Sequence, residues 1–155
     1  MMRKTPKGRG GKPVKVYFDL VQDKTGYPPT KTEFLWCAPT KRGTYVVDNI
    51  PFFARDISLG DEISAEKVGQ VLHFSGLVRK SNNSTVRVLL KQIDKAAYVR
   101  EKLEALGCGT EFMDELGLLA VSMPANSKIA ESLSFLDEET EKDSVGIEES
   151  AVRYK

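Results

Sequence analysis

Residues 84–107 read STVRVLLKQIDKAAYVREKLEALG, and the fold class follows from their pattern. The part from Thr85 to Lys91 is rich in β-branched residues and predicts a strand. Beyond it, apolar residues recur at spacings of three, four and three, the period of an amphipathic helix: Ala96, Val99, Leu103 and Leu106. Asp94 suits the N-cap of this helix, and Gly107 suits its C′ position. Because the period changes from two to about 3.6, the chain is expected to combine strands with helices.

Downstream of this helix the pattern continues with two strands, a second helix and a last strand. The strands are predicted at 110–114, 118–123 and 146–153, and the helix carries Ile129, Leu133 and Leu136 on its inner side. Together with the strand at 84–91, the order is β-α-β-β-α-β. This order predicts a ferredoxin-like arrangement, with two helices on one face of an antiparallel sheet.

Upstream of residue 84 the chain alternates with the period of strands and has tight turns between them. Strands are predicted at 14–20, 32–38, 44–47, 62–65 and 70–79, with a hairpin joining the second and third. The polar turn Lys80–Ser84 also allows a hairpin between 70–79 and 85–91. The predicted fold is therefore α+β, a small N-terminal β-barrel-like region followed by the ferredoxin-like half. We divide the chain into a disordered basic arm (1–13), a barrel-like domain (14–81) and an α+β domain (84–155).

The net charge conceals an asymmetry along the chain. The 155 residues include 23 Lys and Arg against 22 Asp and Glu, and 41% are apolar. This composition excludes collagen-like and coiled-coil chains and does not favour a globally basic nucleic-acid binder. However, residues 1–15 hold six bases and no acid, while residues 131–155 hold eight acids and three bases. The basic arm could touch phosphate or an acidic surface, although a solubilising tail is the favoured interpretation.

The chain shows no targeting segment, and we expect a cytoplasmic protein without membrane contact. Its start is basic but lacks the apolar run of a signal peptide, and the apolar stretch 118–121 is too short to span a bilayer. Cys37 and Cys108 are far apart and have no ligand spacing, so buried thiols are expected rather than a disulfide or metal site.

The sequence is poor in groups that support catalysis. His73 is the only histidine and has no partner evident from the sequence, which favours a partly buried, cross-strand role. Phosphate-binding glycine loops and the EF-hand spacing are absent, so we predict no catalytic residue, no cofactor and no metal ligand. An enzyme stays open only if its chemistry uses Asp, Glu, Arg, Tyr or Cys.

The segment 48–55, with the sequence DNIPFFAR, resists a purely structural interpretation. Two adjacent phenylalanines cannot face one core from an extended segment, so either one points outward or the backbone turns. An exposed apolar group here would form a surface for a partner or ligand. The residues of this candidate surface are Tyr27, Trp36, Asn49, Phe52, Phe53 and Arg55. Alternatively, Phe52 and Phe53 fill the interface between the two halves of the chain.

The acidic end suggests what kind of partner the protein has. A candidate acidic face is formed by Asp137, Glu138, Glu139 and Glu141, and it could cover a basic surface such as a nuclease active site. We therefore predict a non-enzymatic protein-binding module, of the immunity or inhibitor type. One alternative is a small-molecule-sensing regulatory domain with a pocket between the halves, near Trp36, Phe52 and Phe53. A weaker alternative is a nucleic-acid binder that uses the basic arm and a basic cluster around a hairpin: Arg79, Lys80, Arg87 and Lys91.

Several blocks of the sequence resemble a known family. These are Tyr27–Pro29, Leu35-Trp36, the segment 48–61, Ser84–Leu89 and Leu106–Cys108, and the most specific is Asn49–Arg55 with the Gly60-Asp61 pair that follows. They resemble the bacterial family called domain of unknown function 4265, from about Val14 to the C terminus. The resemblance implies a bacterial cytoplasmic protein of about this length. It implies no activity and no functional residues.

Overall fold

The computed structural model of the protein describes residues 12–155, so nearly all of the predicted basic arm lies outside the described residues. The chain divides into two compact units, the first ending at Ser81 and the second running from Asn82 to Lys155. Both units contain β-strands, and both α-helices of the described chain lie in the second. The predicted α+β class is confirmed. Neither of these helices is long and apolar enough to cross a membrane.

The first unit is a closed barrel of five strands. They are β1 (Val14–Asp19), β2 (Thr32–Pro39), β3 (Tyr45–Val47), β4 (Glu62–Val68) and β5 (Val71–Arg79). Consecutive strands pair antiparallel, and the predicted hairpin of β2 and β3 is present, with Cys37 opposite Val47. Because five strands that alternate in direction leave the first and last pointing the same way, the barrel closes by parallel pairing of β1 with β5.

The barrel core follows from the alternation of side chains along each strand. Val16 and Phe18 on β1 and Leu35 and Cys37 on β2 point inward and are almost fully buried. The long connection between β3 and β4 adds Ala54 and Ile57 to this core. This connection, residues 48–61, is called the β3–β4 segment below.

The predicted hairpin between 70–79 and 85–91 is wrong. Strand β5 pairs with β1 and β4 in the barrel, whereas the next strand, β6 (Asn83–Leu90), pairs in the sheet of the second unit. The polar turn permits a hairpin, but turn chemistry does not choose the partner of a strand. Val86 and Val88 of β6 are fully buried in the core of the second unit, which decides the pairing.

The second unit has the element order β-α-β-β-α-β. After β6 come α1 (Ala96–Ala105), β7 (Gly109–Met113), β8 (Leu118–Pro124), α2 (Ile129–Glu141) and β9 (Val145–Ala151). The four strands form an antiparallel sheet in the order β7-β8-β6-β9. Buried residues of both helices join those of β6, β8 and β9 in a single core, which places both helices against the same face of the sheet.

The ends of α1 differ from the prediction at one end and agree at the other. A single 3₁₀ turn, Ile93–Lys95, precedes the helix, so Asp94 is not its N-cap and Lys95 takes that position without a side-chain hydrogen bond. At the other end Gly107 has a φ of +96° and donates its N–H to Glu104 O, while Cys108 N donates to Leu103 O. These two bonds form a Schellman motif, as expected for a C′ glycine.

Candidate functional site

The β3–β4 segment is held onto the barrel by one buried carboxylate. Glu33 lies on the inner side of β2 and is 1% exposed. Its Oε2 accepts the N–H of Phe52 at 2.7 Å, and its Oε1 accepts those of Phe53 and Ala54 at 3.0 and 2.8 Å. Hydrogen bonds to a charged acceptor are stronger than those between neutral groups. The carboxylate therefore fixes the backbone of three consecutive residues in the segment.

A second buried carboxylate, that of Asp61, holds the end of the segment. Its Oδ2 accepts the N–H of Ser58 at 2.9 Å, and its Oδ1 accepts that of Ser81 at 2.9 Å. The Ser81 hydroxyl donates to Leu59 O at 2.8 Å. Asp61 is fully buried, so its lone pairs are used for the backbone rather than for a cation in solvent.

The structure gives Asn49 of the candidate surface a structural contact. Asn49 is 5% exposed, and its side-chain oxygen accepts the backbone N–H of Trp36 at 2.8 Å. Asp48 N donates to Trp36 O at 2.9 Å, so the pairing of β2 continues into the segment. Asn49 thus supplies an acceptor that a longer β3 would otherwise provide.

Both phenylalanines of the segment are buried, because its backbone turns. Phe52 is 3% exposed and Phe53 is 7% exposed, so neither forms an exposed apolar patch. Tyr27, which is 42% exposed, meets the Phe53 ring edge-to-face at a centroid distance of 5.9 Å. Arg55 is exposed, and Trp36 is half-buried. Of the candidate surface, only Tyr27 and Arg55 are exposed.

A groove of about 250 Å³ lies beside this segment within the first unit. Its walls are mainly apolar, with one acid and one base among them: Phe18, Asp19, Leu20, Val21, Pro28, Phe53, Ala54, Arg55, Ile57 and Phe74. Phe18 and Phe74 stack with centroids 4.6 Å apart. The groove can accept a small molecule with an apolar body and a charged end. Its lining includes Phe53 and Arg55 of the candidate surface, but neither Trp36 nor Phe52.

The candidate acidic face needs one correction, at Glu139. This residue is 1% exposed, accepts a hydrogen bond from the Ser144 hydroxyl at 2.8 Å, and pairs with Lys95 and Lys142 at 3.3 and 3.2 Å. Desolvation acts to raise the pKa of Glu139, but the hydrogen bonds from Ser144, Lys142 and Lys95 outweigh it, and the pKa is lowered. Glu139 is therefore a buried, ionised group whose charge is balanced by Lys95 and Lys142.

The exposed acids of α2 form a face without Glu139. Glu131, Asp137, Glu138 and Glu141 are exposed, and at 100° per residue they fall within about a third of the helix circumference. None of the four makes an ion pair with another residue in the range 12–155. We call these four residues the α2 acidic face.

Two residues of the basic cluster predicted around the 80–84 hairpin, Arg87 and Lys91, are paired with acids of the second unit. Arg87 is 2% exposed, and its guanidinium pairs with Glu148 at 3.4 Å and donates to the Ser150 hydroxyl at 2.8 Å. Lys91 pairs with Asp143 at 2.7 Å. Arg79 lies at the end of β5, 3.8 Å from Glu62. The grouping depended on a hairpin that the chain does not make.

The described residues offer little for nucleophilic or metal chemistry. Burial raises the pKa of the Cys37 thiol to about 12, with the Asp48 charge adding to the shift, and burial also raises the pKa of Cys108. His73 is half-buried and lies opposite Tyr17 and Glu66 in the barrel. Within residues 12–155 no group of three or more His, Cys, Asp or Glu side chains could hold a metal ion.

Comparison with known families agrees with the resemblance in the sequence. The family model described as "Domain of unknown function (DUF4265)" matches residues 33–146, which is more than half of the chain. The chain belongs to the DUF4265 family. The matched range begins at Glu33 and contains the whole β3–β4 segment of this DUF4265 chain.

A solved structure has a similar fold, and it is described as "Novel crystal structure of a hypothetical protein from Neisseria gonorrhoeae". Its sequence is 18% identical to that of this DUF4265 chain, and the two structures superpose with a TM-score of 0.73. The match covers 92% of this chain and 97% of the solved structure. At this identity the likeness shows the fold alone. No curated protein matches the chain.

Sequence reasoning missed Glu33 and Asp61, the two acids that organise the most specific block of this DUF4265 chain. One signal was present for Glu33, since it shares its strand face with Leu35 and Cys37, which are inward. A charged residue at an inward position requires hydrogen-bond partners. These partners are 19–21 residues away along the chain, so no local pattern reveals them.

Proposed function

We propose that this protein is a non-enzymatic binding module that uses the α2 acidic face to cover a basic surface of another protein, as immunity and inhibitor proteins do. The observation that supports this proposal is the set of four exposed carboxylates on one side of α2, none of which forms an ion pair with another residue in the range 12–155; the nearby Lys142, which interacts electrostatically with Glu138, is paired with the buried Glu139. Like charges on adjacent helical turns repel each other. A cationic partner removes this repulsion and is steered toward the face during association.

The test compares three forms of the full chain as bait in a lysate of the source organism. The first is the wild type, and the second is a variant in which the four residues of the α2 acidic face are changed to their amides. The third is a control that loses the same charge at four other exposed acids, Glu66, Glu101, Asp114 and Glu115. We expect one basic protein that is retained by the wild type and the control, is lost with the α2 variant, and elutes as salt rises. A partner retained equally by the α2 variant, or no specific partner, contradicts the proposal.

The second candidate function is small-molecule sensing, and the groove beside the β3–β4 segment favours it. Its apolar walls and the Arg55 side chain suit a small ligand with an acidic end. Thermal shift across a metabolite library tests this function. We expect a stabilising ligand whose effect is lost in Arg55→Gln and kept in the exposed control Lys67→Gln. A library that shifts neither the wild type nor the control counts against sensing.

Two finer structural and cellular assignments are also part of this proposal. We infer a ferredoxin-like arrangement for the second unit, supported by its strand order β7-β8-β6-β9, its antiparallel pairing and its two helices on one face. We also infer a bacterial, cytoplasmic protein, and what supports this is the family resemblance together with the free, buried thiols of Cys37 and Cys108.

A further inference from the structure

The groove of the first unit has one acid and one base in its wall. Asp19, at the end of β1, and Arg55, in the β3–β4 segment, both line the groove, and both residues are exposed. Neither side chain forms an ion pair with another residue in the range 12–155. Both charges are therefore available to a ligand that enters the groove.

The charges around Arg55 disfavour a ligand that carries only one charge. Asp23, in the loop between β1 and β2, accepts hydrogen bonds from Thr25 and Tyr27, which lower its pKa. The positive charge of Arg55 adds to this lowering, so Arg55 lies close to a second acid. A simple carboxylate bound at Arg55 would be repelled by Asp19 and Asp23, and a simple cation would be repelled by Arg55. A ligand with both charges is attracted to both sides of the groove.

The size and the remaining walls of the groove limit the ligand further. Its volume of about 250 Å³ lies below the range of roughly 300–1,000 Å³ that is usual for ligand pockets, so the ligand is small. Eight of the ten lining residues are apolar, and they include Phe18, Phe53 and Phe74. These walls favour an apolar or aromatic group on the ligand.

We propose that the groove binds a free amino acid with an apolar or aromatic side chain. Its α-carboxylate lies toward Arg55, its α-ammonium group toward Asp19, and its side chain against the apolar walls. The terminal residues of a peptide each lack one of these two charges, so a free amino acid fits better than a peptide end. This inference rests on the small-molecule sensing proposed above and narrows the ligand from a molecule with an acidic end to a zwitterion.

The experiment is isothermal titration calorimetry of the full chain with three ligands of similar shape, each taken to millimolar concentration. They are L-phenylalanine, 3-phenylpropanoate, which lacks the ammonium group, and 2-phenylethylamine, which lacks the carboxylate. We expect L-phenylalanine to bind about fivefold more tightly than either analogue, the upper value for an exposed pair of opposite charges. L-Alanine, which has little apolar surface to bury, is expected to bind about tenfold more weakly than L-phenylalanine or worse.

Two variants assign each charge of the ligand to its residue. Asp19→Asn is expected to weaken binding of L-phenylalanine about fivefold without weakening that of 3-phenylpropanoate. Arg55→Gln is expected to weaken binding of L-phenylalanine to the same extent without weakening that of 2-phenylethylamine. The matched controls Glu66→Gln and Lys67→Gln, at exposed residues of β4 outside the groove, are expected to bind as the wild type does. Thermal unfolding of each variant confirms that the barrel remains folded.

The possible failures are distinguishable. If 3-phenylpropanoate binds the wild type as tightly as L-phenylalanine does, the amino-acid assignment is overturned, whereas sensing of a ligand with an acidic end stands. If none of the three ligands binds, the assignment is overturned, and the metabolite library decides separately on sensing. Unchanged affinity for L-phenylalanine in either Asp19→Asn or Arg55→Gln also overturns the assignment.

Discussion

Replacement of Glu33 gives the sharpest test of how the barrel holds the β3–β4 segment. In the wild type, three N–H groups donate to this carboxylate at 2.7–3.0 Å, and Glu33 is 1% exposed. A hydrogen bond to a charged group contributes about 1.5–3 kcal/mol, so three give an upper range of roughly 5–9 kcal/mol. Water that enters the space left by the Glu33→Ala substitution can accept hydrogen bonds from these N–H groups, which recovers part of the lost free energy. We therefore expect Glu33→Ala to lower the free energy of unfolding of the barrel by about 4 kcal/mol.

Glu33→Gln separates the effect of shape from that of charge. The amide oxygen can take the place of Oε1, which accepts two N–H groups, but the NH₂ group then faces the N–H of Phe52. One hydrogen bond is lost and two donors face each other without an acceptor. We expect a loss of about 2–3 kcal/mol, smaller than in the alanine variant because two of the three bonds persist.

The assay is urea unfolding followed by Trp36 fluorescence. This tryptophan is the only one in the chain and lies on the same strand as Glu33, so it reports on the barrel rather than on the second unit. Glu66→Ala, at an exposed acid of β4, is the control and is expected to change stability by less than about 0.5 kcal/mol. If Glu33→Ala is as stable as this control, the carboxylate does not hold the segment and the reasoning is refuted.

Two further predictions concern the second unit. Glu139→Gln is expected to lower the free energy of unfolding by about 2 kcal/mol at neutral pH, because Lys95 and Lys142 lose their buried carboxylate. The folded-state pKa of Glu139 is lowered below its ordinary value of 4.5, so the stability that its ionised form contributes is fully present above pH 4.5 and is lost as the pH falls through the folded-state pKa. The difference in unfolding free energy between the wild type and Glu139→Gln should therefore shrink in acid. A difference that stays constant in urea titrations at several pH values would count against this. Gly107→Ala places a Cβ 3.1 Å from that of Ser127 at a φ of +96°, whereas Gly43→Ala at +80° meets nothing within 4 Å. We expect Gly107→Ala to lower the free energy of unfolding by about 3 kcal/mol, measured by helical circular dichroism, and Gly43→Ala to lower it by about 1 kcal/mol, measured by Trp36 fluorescence. Equal losses in the two variants would show that crowding by Ser127 contributes nothing.

Much of the fold could be predicted because its signals are local. The alternation of Val14–Asp19 and the three-and-four spacing in Ala96–Ala105 arise from neighbours along the chain, and each describes one element. Gly107 marked the end of α1 because its conformation is a property of that residue. These signals sufficed for the order of the elements, and the β2–β3 hairpin followed from a short turn.

The candidate site depended on contacts between distant residues, and there the sequence was a weaker guide. The pattern of the β3–β4 segment allowed either an outward phenylalanine or a turning backbone, and the tertiary structure decided for the turn. Glu33 holds the N–H groups of that turn, which buries Phe52 and Phe53. Of the two alternatives that the sequence left open for these rings, the exposed patch is therefore absent.

The sequence by itself determined which elements form, how they are ordered along the chain, and how charge is distributed between its ends. Only the tertiary structure decided which strand pairs with β6 and which acids lie inside. Glu33, Asp61 and Glu139 read as ordinary acids in the sequence, yet each is buried. The physical reason is that burying a carboxylate is favourable only where hydrogen-bond donors or cations converge on it. The nearest donor to Glu33 along the chain is 19 residues away, and Lys95, one of the cations that pair with Glu139, is 44 residues away.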